Sequence, residues 1–250
     1  MIQLKTKEQI QKIKESCQLL AKMFHDIAPL VQVGVSTLDL DKWAEEFIRQ
    51  HGGKPAFKGY QGFPATLCTS LNQEVIHGIP KANRKIQAGD LVSLDCGIDL
   101  GGYFSDMAVT YAVGTVTKEE ETLLSVTKES LEAAVASMKP GGRIRDVANA
   151  VSQLVKPHRF GIVDQYCGHG VGFSQHEDPQ VPNALGMGAS PRLVPGMVLA
   201  IEPMINLGKH TVRVLSDGWT VVTTDGKKSA HFEYTVAVTE EGVEILTAEV

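Results

Sequence analysis

Apolar residues recur at helical spacing from about Lys7 to Val31, with Ile10, Ile13, Leu19, Leu20, Met23 and Ile27 on one stripe. That is the period of a helix half-buried against a core. The stretch GVSTLDLDKWAEEFIRQHGG, from Gly34, predicts a second helix, with Ser36 or Thr37 as N-cap and Gly52-Gly53 as its stop. A loop rich in glycine and aromatics (Phe57 to Phe63) comes next, then short strands through Tyr111. Two more helices are predicted near Lys118–Met138 and Ile144–Val155. From there to Leu246 the pattern reads mostly as strands, with Asp217-Gly218 and Asp225-Gly226 as turns.

The pattern repeats. AGDLVSLDCGIDLGG (from Ala88) aligns with PGMVLAIEPMINLGK (from Pro195), pairing Gly89 with Gly196, Asp95 with Glu202 and Asp99 with Asn206, always 107 positions apart. The same offset lays GVSTLDLDKWAEEF over GGRIRDVANAVSQL and pairs Asp39 with Asp146. Coincidental strand–helix patterning is the plain alternative. One offset joining helix to helix and strand to strand favours two similar α/β (α+β) halves, about 1–112 and 113–250, related by a pseudo-twofold within a single domain.

Composition narrows the classes. At 43% hydrophobic and 21% charged, the 250 residues match a globular chain with an ample core. A net charge of −5 argues against a general nucleic-acid or anionic-membrane surface. The start, MIQLKTKEQIQKIKESCQLL, has no secretory apolar core, and no apolar run nears the roughly 20 residues that span a bilayer. Cys17, Cys68, Cys96 and Cys167 are scattered with no paired spacing, so free thiols and a cytoplasmic location are expected.

Between Leu91 and Leu100 the residues alternate. Val92, Leu94, Cys96, Ile98 and Leu100 form an apolar face; Ser93, Asp95, Gly97 and Asp99 form the other. With a turn at Leu100-Gly101, Asp95 would face Asp106 directly across a hairpin, Cβ atoms roughly 5 Å apart. Facing carboxylates repel, so a shared proton, a basic partner or a metal must offset them. Asp99, at the turn, reads as a turn residue. Glu202 adds an acid in the second half, and Glu233 shares a strand face with Ser229, His231 and Thr235. Four acids in mostly apolar strands would be costly uncompensated, and two divalent cations would balance them. In GHGVGFSQHEDP, from Gly168, His169 lies between glycines that would let its ring approach a crowded centre, with His176 nearby as a non-ligand. Carboxylates plus one imidazole suit manganese, iron, cobalt or zinc better than a closed thiolate zinc site.

The set Asp95, Asp106, His169, Glu202 and Glu233 resembles the dinuclear metal site of the methionine aminopeptidases. SLDCGIDLGGYFSDMAVTY, CGHGVG, IEPM, FEYTVAVT, VIHGIP and HEDPQVPN carry the resemblance, which runs from about Lys7 to Leu246. It points to the short bacterial form (type I) and to the pita-bread fold, an antiparallel sheet with helices packed on its outer face. The resemblance implies two divalent ions bridged by Asp106 and Glu233. Asp95 would chelate one, and His169 and Glu202 would complete the other. A bridging hydroxide would attack the scissile carbonyl, with Glu202 shuttling its proton, His176 donating to the oxyanion and His77 contacting substrate beside the scissile amide. The free substrate amine would bind metal. Tyr60, Phe63, Cys68 and Trp219 would line a pocket for methionine, and a Cys68 thiol there would be open to oxidation or alkylation. The implied substrates are nascent polypeptide N-termini with a small second residue, with transient ribosome contact, no nucleic-acid substrate and a monomeric state.

Phe57, Gln175 and Tyr234 depart from residues common in that family, which bears on pocket shape rather than on the ligands. The rival readings are an X-Pro aminopeptidase or dipeptidase of the same fold, an inactive peptide-binding relative, and a non-catalytic metal-binding protein.

Overall fold

In the computed structural model, which describes residues 1–248, all four predicted helices form. Helices α1 (Lys7–Ile27), α2 (Thr37–Gln50) and α3 (Lys118–Ser137) each open on a capping box: Thr6 with Gln9, Ser36 with Asp39, Thr117 with Glu120. Each box satisfies two otherwise free backbone donors and stabilises its helix by about 1 kcal/mol. α1 ends at Ile27, before the Val31 expected from periodicity, because Ala28–Leu30 tighten into a 3-10 turn around Pro29. α4 (Arg145–Val155) has no side-chain cap from Ile144. Ser190 Oγ accepts the Arg145 N–H at 3.0 Å instead, and Asp146 Oδ2 accepts the Arg143 N–H at 2.8 Å.

The first half supplies β1 (Lys54–Pro55), β2 (Cys68–Leu71), β3 (Glu74–Ile76), β4 (Leu91–Leu100) and β5 (Tyr103–Ala112). The second supplies β6 (Gly161–Ile162), β7 (Gly168–Gly170), β8 (Glu177–Val181), β9 (Val198–Ile201), β10 (Met204–Asn206), β11 (Val212–Val214), β12 (Val221–Thr223), β13 (Ser229–His231), β14 (Tyr234–Val238) and β15 (Val243–Ile245). All their pairings are antiparallel. β4 is the hub of one sheet, pairing with β1, β2 and β5; a second runs β15-β14-β9-β7-β8. Two smaller sheets, β13-β10-β6 and β11-β12-β3, complete the structure.

Alternation decides which face carries chemistry. Leu94, Cys96 and Ile98 pack into a core with Leu20 and Phe24 of α1 and Leu40 and Phe47 of α2. Leu199 and Ile201 pack with Leu123 of α3 and with Val147 and Val151 of α4. Helices therefore cover the outer faces, and Asp95, between Leu94 and Cys96, must point inward.

Segments 107 positions apart adopt matching local structure. Ser36 bridges Lys85 as Arg143 bridges Arg192. Gly89 and Gly196 hold φ of 90° and 95°, backbone that favours glycine. Asp39 and Asp146 each accept the N–H three residues earlier, and Asp99 accepts from Gly102 at its turn, as expected of a turn residue.

The expected hairpin register is off by two residues on the facing strand. The loop is Gly101-Gly102, both at positive φ (65° and 88°), so Asp95 pairs with Ala108 and Gly97 with Asp106. Glycine takes positive φ at both loop positions without strain, and this pair moves the loop one residue on. Asp95 and Asp106 are diagonal neighbours on one face, not opposite residues.

A seam joins β5 to the second sheet. The Glu233 N–H donates to Ala108 O at 2.9 Å, and Thr235 Oγ1 donates to Asp106 O at 2.7 Å while accepting the Asp106 N–H at 3.1 Å. All four cysteines are free. Among the described residues no helix is long and apolar enough to cross a membrane.

Candidate metal centre and cleft

Five places in the sheets deliver the four acids and the imidazole. Asp95 and Asp106 come from β4 and β5, His169 from β7, Glu202 from the end of β9, and Glu233 from the break between β13 and β14. All five are buried. One ligand atom each from Asp106, His169 and Glu233 lies within 4.8 Å of the others. His169 Nε2 stands 3.6 Å from Asp106 Oδ2 and 3.5 Å from Glu202 Oε1.

The glycines around His169 serve the backbone rather than ring access. A Cβ on Gly168 would sit 2.2 Å from Ala200 O, and one on Gly170 would sit 2.3 Å from Asp178 O. β7 is pressed between β8 and β9, and only glycine fits. His169 Nδ1 lies 2.8 Å from Gly170 O. A carbonyl only accepts, so Nδ1 carries the proton and Nε2 turns its lone pair to the carboxylates.

Burial sets the electrostatics. It holds Asp106, Glu202 and Glu233 well above the usual carboxylate range, with neighbouring acids adding to the shift, and lifts Asp95 to about 7. It lowers His169 to about 3, leaving a neutral imidazole. Asp95 Oδ1, Asp106 Oδ1 and Glu233 Oε1 are buried with no hydrogen-bond partner. Orphaned carboxylate oxygens, gathered in one buried group with an imidazole lone pair, fit a divalent cation.

A pH dependence follows. Without metal, an acid whose folded pKa is raised favours the folded state when protonated, so this contribution is lost as pH rises from 3.8 to about 7 for Asp95. Ligation needs the ionised acids, so added manganese should raise the melting temperature little at pH 5.5 and much more at pH 7.5. Calorimetry on chelator-treated protein checks this, and a shift independent of pH would count against carboxylate ligands.

The acids floor a cavity of about 430 Å³. Phe57, Phe63 and Cys68 form an apolar cluster on one wall, with Trp219 packed against it edge-on to Phe63 at 5.1 Å. His176 stands at the rim, its ring 5.2 Å from Tyr60 and 4.1 Å from His169. His77 holds φ 59° and meets the edges of Tyr166 and Trp219; burial lowers its pKa to about 4. Every predicted pocket residue lines this cavity: Tyr60, Phe63, Cys68, His77, His176 and Trp219. Burial and the nearby Asp95 push the Cys68 thiol well above its ordinary range, so it is protonated and a poor nucleophile, contrary to the expected reactivity.

Gln61, Gln165, Tyr166, Cys167 and Gln180 also line the cavity, though the sequence assigned none of them a role in it. Cys167 opens the CGHGVG motif, Gln180 lies within HEDPQVPN and Gln61 within the Phe57–Phe63 loop, so those segments were their signal, whereas Gln165 and Tyr166 only adjoin a motif. The three departures separate. Phe57 lines the cavity, Tyr234 packs against the outer core, and Gln175 turns under the floor to donate to Asp106 Oδ2.

The model for metallopeptidase family M24 matches residues 11–240. The chain belongs to metallopeptidase family M24. Similar chains in it carry the resemblance read from the motifs. A methionine aminopeptidase of Treponema pallidum is 52% identical, covering 99% of this chain and 96% of that one. The crystal structure of a Thermotoga maritima methionine aminopeptidase superposes with TM-score 0.96 at 41% identity, covering all of both chains. The fold is that pita-bread fold, as expected. A Pyrococcus horikoshii prolidase shares it at TM-score 0.80 and 23% identity, and this chain covers 64% of that one.

Proposed function

We propose that this metallopeptidase removes the initiator methionine from nascent proteins and peptides, acting as one catalytic domain built of two halves. The observation that carries it is the juxtaposition of five buried ligand-type side chains with a cavity of about 430 Å³ walled by Phe57, Phe63, Cys68 and Trp219. An unbranched apolar side chain suits such a wall. Asp106 and Glu233 would hold two cations together, with Asp95 added for one and His169 and Glu202 for the other. Bound there, two divalent ions (cobalt, manganese, iron or zinc) would lower the pKa of a water and polarise the scissile carbonyl. Glu202 would accept a proton from the attacking water and return it to the leaving amine. His176 donates an N–H to the developing oxyanion. His77, neutral at pH 7, binds the substrate beside the scissile amide. We place the chain in the cytoplasm, as a monomer, meeting its substrates near the ribosomal exit.

The test is methionine release from Met-Ala-Ser by chelated protein reloaded separately with manganese, iron(II), cobalt or zinc, beside an X-Pro peptide. Metal-dependent methionine release without X-Pro cleavage is expected. X-Pro cleavage alone would move the assignment to the proline-specific relatives, and no release from folded, metal-bound protein would leave a binding role. Met-Ala and Met-Gly peptides should be cut much faster than Met-Lys peptides; equal rates would remove the small-second-residue preference.

A further inference from the structure

Gln175 is 1% exposed, and its side chain lies under the cleft floor rather than in the cavity. Its Nε2 donates to Asp106 Oδ2, while Asp106 Oδ1 is left with no partner in the protein. The amide reaches Asp106 because β4 leaves a gap. Gly97 pairs with Asp106, and a Cβ there would sit 2.6 Å from Gln175 Oε1 and 2.9 Å from Nε2. The segment carrying Gln175 is itself fixed. Glu177 Oε1 accepts the N–H groups of Phe173 and Ser174, at 2.6 and 3.1 Å. Glu177 Oε2 pairs with Lys5, both side chains at most 2% exposed, and Lys5 Nζ lies 5.2 Å from the Phe173 ring centre.

We propose that Gln175 is a positioning residue for the metal centre: its amide, laid over Gly97, holds Asp106 by Oδ2, the oxygen 3.6 Å from His169 Nε2, and so fixes the carboxylate with Oδ1 free of protein partners. This rests on the reading of Asp106 as a ligand. A rigid outer hydrogen bond of this kind fixes the ligand's rotamer before metal arrives, and losing one typically weakens metal binding about 10- to 100-fold. Glycine at 97 and glutamine at 175 then act as one unit, the first making room for the second.

The experiment is manganese(II) titration of chelated protein, by calorimetry and by the EPR signal of free manganese, with the melting temperature of the metal-free protein recorded beside it. Gln175→Leu keeps bulk and removes the donor; its manganese Kd should rise about 10-fold or more. Gly97→Ala leaves Gln175 chemically intact but crowds its amide, and should raise Kd in the same direction. In the double variant the two losses should not add, because both act through one contact. A Kd within twofold of the parent in Gly97→Ala or in folded Gln175→Leu, or additive losses in the double variant, would overturn the proposal. So would a lower metal-free melting temperature with unchanged Kd, the mark of packing alone. Gly97→Ala decides alone if Gln175→Leu does not fold. Asp106→Asn separates the two levels. Unchanged manganese binding there removes the metal reading itself, whereas lost binding beside a neutral Gln175→Leu removes only the positioning role.

Discussion

Glu202→Ala should lower turnover of Met-Ala-Ser by at least about 10³-fold, the upper range for losing a general acid–base group, with ligand loss added. Glu202 follows β9 directly, and its Oε1 is 3.5 Å from His169 Nε2. Burial and Asp95 hold its pKa well above the carboxylate range, so without metal it keeps its proton; a bound cation would ionise it and ready it to accept one. On the other side His231 Nε2 lies 3.7 Å from Glu202 Oε2, with both its ring nitrogens buried and unpaired. Steady-state kinetics with metal analysis check the result. A loss below tenfold at full metal content would strip Glu202 of its proton-transfer role.

His176→Ala should cost about 10²- to 10³-fold in kcat, the scale of one oxyanion donor, and leave metal content near that of the parent. Burial lowers the His176 pKa, so near pH 7 the ring is neutral and keeps one N–H to donate. It sits over the centre without belonging to the group formed by Asp106, His169 and Glu233. Its ring is stacked on Tyr60, which limits the directions that N–H can take. Loss of metal in the variant, measured by elemental analysis, would make His176 a ligand and refute the assigned role.

Much of the site was legible because its signals are local. The alternation from Leu91 to Leu100 set Asp95 opposite the apolar face, and the contact of Leu94, Cys96 and Ile98 with α1 and α2 bears that out. Of the two candidate caps, Ser36 is the N-cap and α2 starts at Thr37. Pairing was less legible. Leu100-Gly101 and Gly101-Gly102 are both plausible loops by composition, and the choice moves every cross-strand partner. The glycines beside His169 were visible, but their reason was not, since β8 and β9 come from distant sequence. Gln175 was noticed only as a departure, because nothing in its neighbourhood along the chain names Asp106 as its partner.

The sequence by itself determined the four helices, the face of β4 that Asp95 occupies, and the family motifs that carry Asp95, Asp106, His169, Glu202 and Glu233. These follow from periods of two and 3.6 residues and from short spacings, which are properties of neighbouring positions. Glu233, expected on a continuous strand, instead lies in the break between β13 and β14. Only the tertiary structure decided the hairpin register, the tautomer of His169, the protonated state of Cys68 and the Gln175–Asp106 contact. Each depends on which atoms from remote strands are pressed together and shut away from water, and burial and close approach exist only once the chain has folded.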